Sequence, residues 1–219
     1  MSHQIAIDGP AGAGKSTIAK LVSGKLGFIY VDTGAMYRAM ALYLSRMNVN
    51  PDNADEVGEK AQSAEITIKY VDGEQVVMLG DENVNGIIRS PEVSAMASRT
   101  SQVARLREKL VELQQKLAET ENVVMDGRDI GTVVLPNADL KIYLTASVQV
   151  RAMRRYKEMI AKGQEAVLEE IEKNIEDRDY RDMHREASPL KQADDAVLVD
   201  TSDMSIEEVA DKIIELYNS

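Results

Sequence analysis

Cysteine is missing from the 219-residue sequence. Its absence excludes disulfides, thiolate metal sites and a cysteine nucleophile, and fits a reducing compartment. Histidine is almost missing as well: His3 and His184 are the only two, too few for a multi-histidine metal centre and poor material for a Ser-His-Asp arrangement. Positive charge is in deficit, with 26 Lys and Arg against 37 Asp and Glu and a formal net charge of -11. That balance argues against a broad footprint on nucleic acid or an anionic membrane, where a basic surface is expected. Any anionic ligand must be held by cations gathered locally. No apolar run approaches the ~20 residues of a membrane span. The N-terminal segment shows no basic stretch followed by a long apolar one, so no signal peptide is expected. These absences lead to the expectation of a cytoplasmic protein, and 44% hydrophobic residues suffice for one globular unit with insertions.

Short β-branched runs alternate with helix-period segments. Gln4-Ile5-Ala6-Ile7, Phe28-Ile29-Tyr30-Val31, Val123-Val124-Met125, Leu140 to Leu144 and Ala196-Val197-Leu198-Val199 read as strands buried on both faces. With helices between most of them, they predict a five-stranded parallel sheet flanked by helices, an α/β fold. Three of the strands run directly into Asp-rich turns, and in open α/β sheets ligands collect beyond the carboxyl ends of the strands. Ser205 with Glu208 forms a capping box, and Ile206, Val209, Ile213 and Leu216 then make an apolar stripe for a closing helix. Two stretches break the alternation. Residues 65–71 and 74–79 about Asp72-Gly73 read as an antiparallel hairpin on a type I′ turn. Residues 148–185 form a highly charged helical region with Gly163 near its middle, either a mobile segment or a solvated helix face.

The most specific signal is Gly9-Pro10-Ala11-Gly12-Ala13-Gly14-Lys15-Ser16, followed by Thr17. It matches G-x-x-x-x-G-K-[ST] between a predicted strand and a helix over 15–25, the context a P-loop requires. Glycines let successive N–H groups curl around phosphate oxygens, and the helix dipole and the Lys15 ammonium complete an anion site. Lys15 would reach the β- and γ-phosphates of a nucleoside triphosphate and Ser16 would ligate Mg²⁺. The motif leaves open whether the γ-phosphoryl goes to water, to a small molecule, or serves a switch.

Arginines stand at separated points, among them Arg38, Arg107, Arg128, Arg151, Arg154 and Arg155. Arg178, Asp182 and Arg185 fall at i, i+4 and i+7, with Arg181 on the same side. That spacing suits an ion-pair ladder along a helix. It suits equally a cluster of guanidinium forks for a second phosphorylated substrate. Glu158 is spaced to pair with Arg154 or Arg155.

Four ordered segments, Gly9 to Thr17, Val31 to Arg38, Asp126 to Val134 and Arg178 to Arg185, resemble the bacterial cytidylate kinases, and the resemblance extends over essentially the whole chain, hairpin included. It implies transfer of the γ-phosphoryl of ATP to CMP or dCMP with Mg²⁺; a monomer is expected, and the acidic charge balance leads to the expectation of no nucleic-acid or membrane partner. By matching positions, Arg38 and Arg128 would bind the acceptor phosphate, and Thr33, Arg107, Asp129 and Arg185 the cytosine. Ser98, Arg178 and Asp182 would reach the sugar, and Arg151, Arg154 and Arg155 would belong to a lid over ATP. Lys15, Arg128, Arg154 and Arg155 would then be the catalytic cations. Asp129 can accept from the cytosine N4 amino group, whereas uracil would set its O4 acceptor against the carboxylate at a cost of ~1 to 3 kcal/mol. Asp126 ends a strand as a Walker B carboxylate does, but the resemblance puts it in a nucleotide-binding turn and it is not assigned to Mg²⁺. The implied organisation is a core of residues 1–61, 101–147 and 186–219, a monophosphate-binding insertion at 62–100 and a lid with substrate-contacting helices at 148–185. Rival readings are a kinase for UMP or another small molecule, and a nucleotide-dependent switch.

Overall fold

The computed structural model describes residues 2–71 and 73–219. Their element order opens with β1 (Gln4–Asp8), α1 (Lys15–Leu26), β2 (Ile29–Asp32), α2 (Thr33–Arg46) and α3 (Ala54–Ala61). It continues with β3 (Ile66–Val71), β4 (Glu74–Leu79), β5 (Glu82–Asn83), α4 (Pro91–Thr100) and α5 (Ala104–Thr120). The last part comprises β6 (Val123–Gly127), a π-helical turn (Ile130–Val134), β7 (Leu140–Thr145), α6 (Val148–Ala161), α7 (Leu168–His184), β8 (Val197–Asp200) and α8 (Ile206–Asn218). The chain divides into two compact units, Val31–Glu121 and a second made of His3–Tyr30 with Asn122–Ser219.

The five-stranded sheet runs β2-β6-β1-β7-β8. β1 lies in parallel register with β6, Ile5 opposite Val124, and with β7, Ile5 opposite Leu140. Its inner strands are apolar on both faces because helices cover both, but the edge strand β8, read as buried on both faces, exposes Val197 and Leu198 and buries only Val199. Ile5, Ile7, Ile142 and Leu144 pack in one core with Ile18 and Val22 of α1 and Val209 and Ile213 of α8. The capping box of α8 forms as read, Ser205 accepting from the Glu208 N–H and Glu208 accepting from the Ser205 N–H. One member of its stripe departs from the pattern. Ile206 is exposed, since as the first helical residue it precedes the turn that reaches the sheet.

Within the first unit, Asp32 caps α2 by accepting from the Ala35 N–H at 2.8 Å. Met36, Met40 and Leu44 of α2 bury against Leu106 and Leu110 of α5, with Ile66 and Val77 from the hairpin. β3 and β4 pair antiparallel from Ile66 opposite Leu79 to Val71 opposite Glu74, and the short β5 extends this sheet to three strands. Gly73 has φ 78, a left-handed conformation suited to the turn, while Asp72 lies outside the described residues. Among the described residues no helix is long and apolar enough to cross a membrane.

Candidate active site

β1 ends at Asp8, and the next residues turn sharply at Gly9 (φ 147), Gly12 (φ 78) and Gly14 (φ 90). Gly9 has no room for a side chain, because a Cβ there would collide with the Leu144 carbonyl of β7. Gly14 is the N-cap of α1 and supplies no side-chain cap. The first N–H groups of α1 are thus left to an anion, with the positive end of the helix dipole behind them. Lys15 is buried and its Nζ donates to the Pro10 carbonyl at 2.7 Å. Burial first, then the Arg128 and Arg178 guanidiniums, hold its ammonium well below the ordinary lysine range, against the opposing pull of Asp126 and Asp8.

Ser16 Oγ donates to Asp126 Oδ2 at 3.0 Å, and the Tyr30 hydroxyl donates to Asp126 Oδ1 at 2.8 Å. The buried strand-end carboxylate thus stands beside the P-loop hydroxyl. Asp8 is buried too, and accepts from the N–H groups of Ile130 (2.8 Å) and Gly131 (2.7 Å).

Beyond β6, Arg128 Nε donates to Asp182 Oδ2 of α7 at 2.9 Å. Arg178 Nε reaches the same oxygen only at 4.0 Å. The ladder spacing on α7 is therefore its minor feature, and the main partner of Asp182 comes from another element. Burial alone would raise the Asp182 carboxyl, yet Arg128, Arg178 and Arg185 outweigh it and hold the group below its usual value. Arg185 Nη2 lies 3.7 Å from Asp129 Oδ1, both residues being buried. Asp129 occupies the N-cap position of the π-helical turn but makes no side-chain cap bond.

The three arginines of α6 have different surroundings. Arg151 is buried, ion-paired to Asp179 at 2.7 Å, and donates to the carbonyls of Ala146 and Ala11, the latter within the phosphate loop. Arg154 donates to the Thr201 carbonyl (2.7 Å) and hydroxyl (3.2 Å) just past β8. Arg155 is exposed and pairs with Glu158, which also binds Lys162. Of the two partners open to Glu158, it takes Arg155.

Thr33, Arg38, Ser98 and Arg107 belong to the other unit. Arg38 Nη2 lies 3.2 Å from Asp32 Oδ2, which also accepts from Arg89 at 2.9 Å. Thr33 is buried at the start of α2. Arg107 is buried on α5, donates to the Ser101 carbonyl at 2.9 Å, and lies over the Tyr37 ring at 5.2 Å. Ser98 sits half-buried on α4. Arg89 escaped the sequence reading and Asp8 entered it only as a strand-end acidic turn, because the fold alone gives them their partners.

A glycine loop joining a parallel strand to an uncapped helix N-terminus, with a buried lysine and a hydroxyl beside a strand-end carboxylate, defines the chain as a P-loop kinase. The shikimate kinase of Bacteroides thetaiotaomicron shares the fold, with a TM-score of 0.51 over 99% of both chains at 17% identity. A sequence model of the cytidylate kinases matches residues 5–219. The cytidylate kinase of Caldicellulosiruptor bescii is 51% identical over 97% of this chain and 94% of that protein. That of Listeria monocytogenes serotype 4a is 53% identical over the same shares. The chain belongs to the cytidylate kinase family.

Proposed function

We propose that the chain phosphorylates CMP and dCMP with ATP, and that the residues described above divide the work as follows. It is an ATP-dependent (d)CMP kinase. An oxygen of the acceptor phosphate attacks the γ-phosphorus, the bond from that phosphorus to the β,γ-bridging oxygen breaks, and CDP or dCDP leaves with ADP. A phosphate monoester is already an anionic nucleophile near neutral pH, so no general base is needed. Rate then comes from positioning and from neutralising crowded negative charge. Lys15 buried within the glycine loop, in a chain that matches the cytidylate kinase model over residues 5–219, is the observation that carries this reading.

Gly9 to Thr17 wrap the triphosphate and Lys15 reaches its β- and γ-phosphates. The metal is Mg²⁺, for which the Ser16 Oγ at the start of α1 would be a hard oxygen donor, the ion keeping waters and phosphates as its other ligands. Ser16 holds it, and when bound it neutralises charge on the phosphate oxygens. Arg38 and Arg128 bind the acceptor phosphate. Asp129 accepts from the cytosine N4 amino group, Arg107 donates to the ring O2 or N3, and Thr33 and Arg185 line the base. Ser98, Arg178 and Asp182 take the sugar. Residues 62–100 form the acceptor-binding insertion and 148–185 the lid and substrate-contacting helices, with Arg155 facing ATP while Arg151 and Arg154 hold α6 to the phosphate loop and the sheet. The protein acts as a cytoplasmic monomer. Purified protein offered CMP, dCMP, UMP and AMP, with ADP formation followed, should turn over CMP and dCMP far faster than the others. Rapid turnover of UMP without CMP would overturn the assignment.

A further inference from the structure

We propose that Arg89 is a further binding group for the acceptor phosphate, set beside Arg38 by a carboxylate, Asp32, that the two share. The proposal rests on the phosphate-binding role given to Arg38 above. Asp32 is buried immediately before α2. Its main chain is clasped by Gln75 of β4, whose Oε1 accepts from the Asp32 N–H at 2.7 Å and whose Nε2 donates to the Asp32 carbonyl at 3.3 Å. Its carboxylate is fixed as well, Oδ1 accepting from the Ala35 N–H at 2.8 Å. Oδ2 then meets two guanidiniums, Nη2 of Arg38 at 3.2 Å and Nη2 of Arg89 at 2.9 Å. Gly34 leaves room for the first of them, because a Cβ there would lie 3.2 Å from Asp32 Oδ1 and 3.3 Å from Arg38 Nη1.

Arg89 itself stands on settled backbone. Ile88 before it is buried in the core of this unit, and Ser90 after it caps α4 by accepting from the Val93 N–H. Its side chain is nevertheless 66% exposed, and among the described residues its hydrogen bond to Asp32 uses Nη2 alone. A guanidinium carries five N–H donors in one plane, so most of this fork is unspent while its position is set. Charge runs the same way. One guanidinium balances one carboxylate, and a second leaves a positive surplus among the three groups, in a chain whose formal net charge is -11. A phosphate monoester, with its second pKa near 6, is mostly a dianion above neutral pH and matches that surplus, and paired forks suit its oxygens. Arg38 alone would suffice to brace Asp32.

The test compares Arg89→Gln, Arg89→Lys and Arg38→Gln with the native chain, using the dissociation constants of CMP and of cytidine, which lacks the phosphate, with KM for ATP and the unfolding midpoint. Arg89→Gln should weaken CMP binding about tenfold, the scale of one lost charge-assisted hydrogen bond, while cytidine binding and KM for ATP stay within about twofold. The midpoint should hardly move, because Asp32 keeps Arg38 and the Ala35 N–H. Arg89→Lys restores the charge without the fork; it should weaken CMP about threefold and spare cytidine, and it decides the matter if Arg89→Gln does not fold. Equal weakening of CMP and cytidine in the Arg89 variants would make Arg89 a structural partner of Asp32 and overturn the proposal. Unchanged CMP binding in them, with a loss confined to CMP in Arg38→Gln, would overturn the role of Arg89 and leave that of Arg38 intact. If Arg38→Gln weakens CMP no more than cytidine, the reading of Arg38 falls and the proposal with it.

Discussion

The arginines of α6 and those around Asp182 are the same residue type in the same unit, yet the chain uses them in opposite ways. Arg151 and Arg154 give their donors to main-chain carbonyls, Ala146 and Ala11 for the first and Thr201 for the second. Those acceptors end strands or form the phosphate loop, so the guanidiniums bind α6 to the carboxyl edge of the sheet. Arg128, Arg178 and Arg185 instead gather about the carboxylates Asp182 and Asp129. Arg151 is fixed inside the fold by those carbonyls and by Asp179 at 2.7 Å, whereas Arg128 and Arg178 act on the Lys15 ammonium of the phosphate loop and add to the charge that meets a polyanion. The partner, more than the residue, separates a brace from a binding group.

Three substitutions would break or sharpen that contrast. The largest effect is expected from Lys15→Ala, which should lower phosphoryl transfer by about 10³-fold or more, the scale of losing a transition-state cation. Calorimetry should still detect CMP binding to this variant, and its disappearance would sink the division between donor and acceptor groups. Next comes Arg151→Ala. Removing one partner of the buried Arg151–Asp179 pair should cost about 3 to 5 kcal/mol of stability, read as a lower urea midpoint. A midpoint near that of the native chain would mean that Arg151 is no brace. The smallest effect on stability belongs to Arg155→Ala, whose side chain is 53% exposed against 5% for Arg151. An exposed ion pair contributes about 0 to 1 kcal/mol, so the midpoint should hardly move while KM for ATP rises. If KM also stays put, Arg155 has no part in the lid.

Much of this was legible in sequence, and for local reasons. β-branched runs buried on both faces announce parallel strands, and β2 and β8 begin one residue later than read, at Ile29 and Val197. The phosphate loop declares itself because its glycines, lysine and hydroxyl all lie within a few residues of one another. β5 was hidden, since Glu82-Asn83 carries neither alternation nor β-branched side chains. Ile130-Gly131-Thr132-Val133-Val134 gave no sign of a π-helical turn, whose first N–H groups bond a carboxylate supplied from β1. Within the site, the ladder spacing of Arg178 and Asp182 was visible on the page, but the stronger bond from Arg128 comes from 54 positions away. Spacing rules speak for one element at a time, and contacts between elements fall outside them.

Gly9 has one more bearing on how the enzyme meets its nucleotide. With the Leu144 carbonyl filling the space a methyl group would need, the entrance of the cradle is interlocked with β7 like a tongue in a groove. Its conformational freedom is surrendered when the sheet assembles, so arriving ATP finds amides already aimed and loses little to ordering them. Even an alanine at this site should slacken the cradle and weaken nucleotide capture, although it removes no phosphate-binding group.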